Sequence, residues 1–354
     1  MINKKIFFYS IITTGRTGSD YLEACIDGLS SVLTIPNKIF YYKFCKKNNI
    51  KQSNRINTKE LLKNFIENNK ILFHGSRLEN KYYSINKEKF INLFNKIYKQ
   101  KLITRDKFLI NLYISFALYL KQNIKKKYNL IYHAHHWDEN AEFQKDFKDI
   151  KLFITIRDPK ENLYSGIYNW RRFDKNKNNQ EHNFKYLKRI IEDLNQALKI
   201  SNKKIFIKLE DANKKKIKKK ICNFLKNKFE NKIFTATYFN NKKWNGDQLS
   251  LKKSNGIYNN SINNFRQLKK FSSHDIKLLN CLFFKYKKFN YDLKPKHSLL
   301  KLLLFSWKPF SFEIETFKYI IKKKSIIYIS KNFFWYLLRT IYIYRKIFYY
   351  AIHR

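Results

Sequence analysis

The sequence predicts an α/β protein, a mainly parallel central sheet flanked by helices, with a helical C-terminal extension. Three observations carry that expectation. Short β-prone apolar runs recur along the chain, longer segments with helical periodicity separate them, and the first run passes through a glycine turn directly into a helix.

The first run, Ile6 to Ile12, is bounded by Thr-Thr-Gly and suits a strand buried on both faces, as in a parallel sheet. Leu22, Cys25, Ile26 and Leu29 then recur at helical spacing, with Gly28 near the end. Further strand-like runs lie at Lys70–Ser76, Tyr128–His136, Lys151–Pro159 and Lys203–Asp211, and helical periodicity marks Phe108–Leu120 and Phe184–Leu198. The lysine run beginning at Lys214 carries Ile217, Ile221, Phe224 and Leu225 at helical intervals, so it reads as an amphipathic helix with a solvated lysine face and not as a nucleic-acid patch. Beyond Tyr291 the character changes. Pro295 and Pro309 flank an apolar stretch, and Ser325–Arg354 is almost wholly aromatic, aliphatic and basic. We therefore expect a main domain over 1–294 and an extension over 295–354. Lys331, Arg339, Arg345 and Lys346 interrupt the tail too often for a membrane span. They suit either a helix lying in a bilayer interface or a helix pair packed on the domain or on a second subunit.

At 354 residues and 44% hydrophobic content the chain can bury a substantial core. Its net charge of +47 is spread through a chain equally rich in asparagine, isoleucine and aromatic residues, the mark of biased composition more than of a dedicated basic surface; no nucleic-acid partner is expected. Cys25, Cys45, Cys222 and Cys281 form neither a CxxC pair nor a Cys/His set, which argues against a zinc site or a disulfide framework. The opening residues imitate a signal peptide without a small-residue cleavage site, so a cytoplasmic location is expected, with membrane association as a further expectation.

Two stretches carry chemistry. In "TTGRTGSDYL", Gly15 and Gly18 permit positive φ or close approach, Arg16 adds a fixed cation, and Thr17 and Ser19 add hydroxyl donors, all where helix N–H groups and the helix dipole favour an anion. The stretch is neither GxxxxGK[ST] nor GxGxxG. In "RDPKENLYSGIY", Arg157 and Ser165 leave another strand toward the same sheet edge, where ligands of such folds bind. Two anion-binding turns imply a ligand with two anionic ends.

These stretches resemble the 5′-phosphosulfate loop and the 3′-phosphate motif of sulfotransferases that use 3′-phosphoadenosine 5′-phosphosulfate (PAPS), the latter an arginine followed eight residues on by a serine. The resemblance extends through "KLEDANKKKIKKKICNFL" and, more weakly, "FRQLKKFSSHDI", over roughly Lys4 to Tyr291. It implies a P-loop-like sulfotransferase fold, with Gly15, Arg16, Thr17, Gly18, Ser19, Asp20 and Tyr21 along the phosphosulfate loop and Arg157 and Ser165 at the 3′-phosphate. It also implies PAPS as donor, PAP as product, a carbohydrate or glycolipid acceptor and no metal. Many members carry lysine at the Arg16 position, whereas carbohydrate-acting ones often have arginine. Asp20 stands where a hydroxyl residue is commoner, and "KKSNGIYNNSINNFRQ" is a loose counterpart of the family's glycine-rich loop.

Transfer to an alcohol needs a base and a cation. Arg16 is the expected cation, and His135 in "IYHAHHWDEN" the expected base, with His133, His136, Asp138, Glu139 and His74 as alternatives. Two other function classes fit parts of the pattern. A P-loop kinase or NTPase lacks its lysine here, and a non-enzymatic polyanion-binding protein would use the charge alone.

Overall fold

The computed structural model describes residues 6–35, 39–74, 85–124, 128–238, 242–244, 246, 270–293, 298–323 and 325–353. The segment 252–267, which holds the expected glycine-rich loop, lies outside them, as does Pro295. In chain order the strands are β1 (Phe7–Thr13), β2 (Val32–Leu33), β3 (Ile56–Asn57), β4 (Leu102–Ile103), β5 (Asn129–His135), β6 (Lys151–Ile156), β7 (Lys204–Lys208), β8 (Thr237–Tyr238) and β9 (Lys242–Lys243). The helices begin with α1 (Ser19–Asp27), α2 (Tyr41–Lys47), α3 (Thr58–Asn68), α4 (Lys70–His74), α5 (Lys87–Ile97), α6 (Arg105–Tyr119), α7 (Trp137–Asp146) and α8 (Pro159–Tyr164). They continue with α9 (Trp170–Phe173), α10 (Gln180–Lys199), α11 (Lys215–Phe224), α12 (Ser273–Leu282), α13 (Leu299–Trp307), α14 (Ser311–Lys323) and α15 (Ile326–His353).

The chain divides into two compact units, one of Met1–Thr13, Gly18–Thr155 and Ser201–Tyr258, the other of Thr14–Thr17, Ile156–Ile200 and Asn259–Arg354. The first is built on a five-stranded sheet of order β2-β5-β1-β6-β7. β1 pairs in parallel with β5, Phe7 against Asn129 through Ile12 against His135, and with β6, Tyr9 against Lys151 through Thr13 against Thr155. The C-terminal ends of β1, β5 and β6 therefore share one edge, and the strand order changes direction about β1, the position where sheets of this type bind ligands. On one face Tyr9, Ile11, Ile131, Phe153 and Ile207 pack against Leu22, Cys25 and Ile26 of α1 and Ile221, Cys222 and Phe224 of α11. On the other, Phe8 stacks on Phe147 (4.1 Å between centroids) and Tyr132 on Phe143 (4.8 Å).

One expected strand is a helix. Lys70–Ser76 was read as β because its apolar run is continuous, yet Lys70–His74 forms α4, entered through a bond from the Leu72 N–H to the Asn69 carbonyl (2.9 Å). Short apolar runs carry no period, so burial decides. Phe73 is fully buried beside Phe90 (5.3 Å) and Phe116 (6.1 Å), within a helical core. The sheet edge is instead β2, only two residues long and parallel to β5. The lysine run forms α11, with Ile221 and Leu225 buried as its periodicity requires.

In the second unit α15 packs on α10, α12, α13 and α14. Residues 295–354 thus share a unit with Ile156–Ile200. The fully buried Arg339 ties these helices, pairing with Glu313 (2.9 Å) and donating to the Ser306 carbonyl (2.5 Å). Among the described residues no helix is long and apolar enough to cross a membrane. All four cysteines are buried free thiols.

Candidate active site

β1 delivers the chain to Thr13, and the turn that follows needs both of its glycines. Gly15 has φ 109° and Gly18 φ 80°, conformations that a Cβ penalises. A Cβ on Gly15 would also lie 2.7 Å from Asn162 Oδ1, and one on Gly18 2.3 Å from a Leu209 methyl. Gly18 N-caps α1 with no side chain capping the helix, so its N-terminus keeps the dipole character that attracts anions.

The second unit assembles the arginine of this turn with the serine of the second motif. The Arg16 backbone N–H donates to Asn162 Oδ1 (2.8 Å) and to the Tyr186 hydroxyl (3.0 Å), while Asn162 Nδ2 donates to the Thr14 carbonyl (2.6 Å). Arg16 Nε donates to Ser165 Oγ (3.2 Å). Ser165 opens a π-helical turn, Ser165–Asn169, and also accepts from Asn169 Nδ2 (2.9 Å). Such turns are commonest at functional sites. Gly166 makes this one feasible, because a Cβ there would fall 1.8 Å from the Tyr186 ring. His182 Nε2–H donates to the Gly166 carbonyl (3.2 Å), and burial lowers its pKa to about 4, so the ring is neutral.

Arg157 is buried and pairs with Glu161 (3.4 Å). Its neighbour Asp158 instead caps α8, accepting from the N–H groups of Lys160 (2.8 Å) and Glu161 (3.1 Å). Burial holds the Tyr186 phenol above its ordinary range, opposed by the nearby charges of Arg189, Arg16 and Arg157. One hydroxyl thus lies within the field of both motif arginines.

The first unit groups a different set. His133 Nδ1–H donates to Glu23 (2.6 Å), and Asp20 lies 3.8 Å from the same nitrogen. Asp20, whose role the sequence left open, therefore faces a histidine. Asp20, Glu23 and His133 bring three ligand-type atoms within 4.8 Å of one another. His133 Nε2 is buried. His135 follows at the end of β5 with φ 60°, beside a break in register against β1, and is half-buried; its ring lies 5.8 Å from His133 and 4.8 Å from His136. A histidine in the left-handed region is uncommon and concentrates at functional sites.

Other expected residues have different surroundings. Thr17 and Ser19 are buried. Tyr21 is also buried, its hydroxyl bonded to Asn213 and its ring beside Trp244 (5.3 Å), so it belongs to the core. Glu139 accepts from the Tyr132 hydroxyl and from the Lys43 N–H (3.1 Å), and burial raises its pKa. Asp138 is exposed in the first turn of α7, and His136 precedes that helix. His74 ends α4, not a strand.

Sequence reasoning missed Asn162, Gly166, His182 and Tyr186, which hold the turn and its serine, and Glu23, which holds His133. Asn162 and Gly166 lie inside the second motif, and Glu23 is one helical turn after Asp20. Nothing local marks Tyr186 or His182, which reach the site only because α10 folds against it.

No family model matches the chain, and no curated protein matches it. Among solved structures it is similar to the sulfotransferase domain from the curacin biosynthetic pathway, at 15% identity over 66% of this chain and 78% of that one, with a TM-score of 0.40. It is also similar to the sulfotransferase domain of the Synechococcus olefin synthase, at 14% identity over 72% and 83% with a TM-score of 0.39. A third likeness is to a sulfotransferase from Mycobacterium avium, at 9% identity over 66% and 67% with a TM-score of 0.35.

Proposed function

We propose that this protein is a PAPS-dependent sulfotransferase acting on a hydroxyl or amine of a carbohydrate or glycolipid. The observation that carries the reading is the 3.2 Å bond between Arg16 of the glycine turn and Ser165 of the second motif, with Arg157 acting on the same Tyr186 hydroxyl. Two anion-binding elements far apart in sequence share one polar cluster, as a ligand with anionic groups at both ends requires. The uncapped α1 terminus and the two positive-φ glycines fit the 5′ group. Ser165 and Arg157 fit the 3′-phosphate, with Glu161 giving up part of its hold on Arg157 when the anion enters.

The donor, when bound, supplies the sulfonate. The acceptor oxygen bonds to sulfur as the bond from sulfur to the bridging phosphate oxygen breaks, and the acceptor proton passes to a base. Arg16 would neutralise the charge growing on that bridging oxygen; its guanidinium suits bidentate contact with phosphosulfate oxygens. His135 is the base in this reading. It ends β5 at the sheet edge that the glycine turn leaves, and its ring is half-buried where that of His133 is enclosed. His133, anchored by Glu23, packs against it and fixes its place.

Calorimetry with PAP, together with transfer of label from PAPS to candidate glycans, tests the reading. PAP binding lost on Arg157→Ala is expected. Binding of ATP–Mg in preference to PAP would overturn it in favour of a kinase, and a salt-sensitive affinity for polyanions indifferent to Arg157→Ala would assign a binding module instead.

A further inference from the structure

α15 is apolar on both of its faces. Its inward face buries Ile343, Ile347 and Tyr350 together with Asn332, Arg339 and Thr340, while its outward face carries Ile327 (83% exposed), Phe334 (56%), Ile341 (52%) and Ile352 (77%). Phe333 and Phe348 are exposed along the same 28-residue helix, which spans about 42 Å at 1.5 Å per residue. A helix on a water-facing surface keeps its outward face polar, and an apolar stripe of this length marks a surface that meets something other than water.

The charges say what that is. From Ser325 to Arg354 there is no aspartate or glutamate, and the exposed face intersperses Lys331 and Arg345 among its aromatics. A second copy of a chain bearing +47 would bring like charges together across the stripe, whereas anionic headgroups would neutralise them. No described helix is long and apolar enough to cross a membrane, so the geometry is that of a helix lying on it.

Beside the C-terminal end of the stripe is a cavity of about 180 Å³ whose lining includes Lys199, Lys285, Lys346, Tyr349, Phe284 and Leu194. Lys285 donates to Asn195 (2.7 Å) and sits over the Tyr349 ring (4.6 Å). Burial lowers the pKa of Lys346, with Lys285 and Lys188 adding to the effect and Glu192 and Tyr349 opposing it. Glu192 itself lies 3.8 Å from Lys188. Three lysines over an apolar floor suit a phosphate attached to an apolar body.

We propose that α15 docks the protein on an anionic phospholipid bilayer, its aromatic stripe entering the interface and the lysine-lined cavity beside Tyr349 receiving a headgroup phosphate. The proposal is independent of the transfer chemistry, and its readout is binding alone.

The test is flotation of the full chain with vesicles of phosphatidylcholine, and of phosphatidylcholine with one third phosphatidylglycerol. The protein should float with the anionic vesicles, and less so as salt rises. Ile341→Glu with Phe348→Glu, both exposed and therefore tolerated by the fold, should lower partitioning at least ~10-fold. Lys285→Gln with Lys346→Gln should lower it by roughly 30-fold, as expected for two cations near a charged surface. Unchanged thermal midpoints would show that each variant is folded. Equal partitioning of wild type and the Ile341/Phe348 variant, or indifference to lipid charge, would overturn the docking. A stable dimer in sedimentation that this variant splits would give the stripe to a second copy and overturn it too. Unchanged partitioning of the lysine variant, or inorganic phosphate binding that vesicles do not displace, would overturn the headgroup assignment.

Discussion

The backbone N–H of Arg16 is shared between Asn162 Oδ1 (2.8 Å) and the Tyr186 hydroxyl (3.0 Å), and the Asn162 amide reaches back to the Thr14 carbonyl (2.6 Å). One buried side chain thus holds the residues on both sides of Gly15, and the amide orientation follows from its partners. Asn162→Ala removes an acceptor from the Arg16 N–H and a donor from the Thr14 carbonyl in a buried setting, and should cost about 1–3 kcal/mol of stability. If the turn binds the donor, PAP affinity should fall about tenfold or more in calorimetry for the same loss of orientation. Tyr186→Phe removes one of the two acceptors and should have the smaller effect.

The π-helical turn at Ser165 makes the protein sensitive to acid. His182 is held neutral by burial, with its pKa lowered from 6.5 to about 4, while its Nε2–H supports the Gly166 carbonyl. Between those values the unfolded chain binds a proton that the folded chain refuses, so this contribution is complete above pH 6.5 and is lost as pH falls through 4. It amounts to at most about 3 kcal/mol. Urea unfolding at a series of pH values should show stability rising over this window, and His182→Gln, which keeps a donor at the same place, should flatten the rise. Gly166→Ala should disable the turn at every pH, since its Cβ would meet the Tyr186 ring at 1.8 Å.

On the proposed mechanism the histidines at the end of β5 separate by role. His135→Asn should lower kcat about 10²-fold or more, the usual worth of a general base, and leave PAP affinity unchanged. Glu23→Gln keeps a hydrogen-bond acceptor for His133 but removes the charge, and should lower kcat less while shifting the pH profile of kcat. Should His135→Asn keep full activity while His133→Asn loses it in a folded protein, the base is His133.

The buried pair of Arg339 and Glu313 secures the three C-terminal helices. Burial raises the Glu313 pKa and Arg339 opposes the rise. Arg339→Ala leaves that buried carboxylate without its cation, its bond from the Phe310 N–H (2.8 Å) remaining, and should cost about 3–5 kcal/mol, read as a lowered urea midpoint. Replacing both residues by apolar ones, Arg339→Met with Glu313→Leu, should recover much of the loss.

The β-prone runs at Ile6–Ile12, Tyr128–His136 and Lys151–Pro159 were legible as strands because a strand buried on both faces is apolar almost throughout, and Lys203–Asp211, at the half-buried sheet edge, because of its short β-prone core. The glycine turn was legible because positive φ admits little besides glycine. Lys70–His74 was misread for the converse reason: a five-residue apolar stretch fits either geometry, and only the enclosing Phe90 and Phe116 made it helical. The motif residues Arg16, Arg157 and Ser165 could be named from local sequence. Their supports could not, since Tyr186 and His182 lie on a helix whose pattern reports burial and not what it is buried against.

By itself the sequence determined the alternation of strand and helix and the glycine turn after β1, because backbone conformation and burial period are written into neighbouring residues. Only the tertiary structure decided that Asn162 and Tyr186 clamp one turn, that Glu23 holds His133, and that α15 leaves an apolar stripe exposed. Those outcomes depend on contacts between residues far apart in the chain, and local patterning carries no record of the partner.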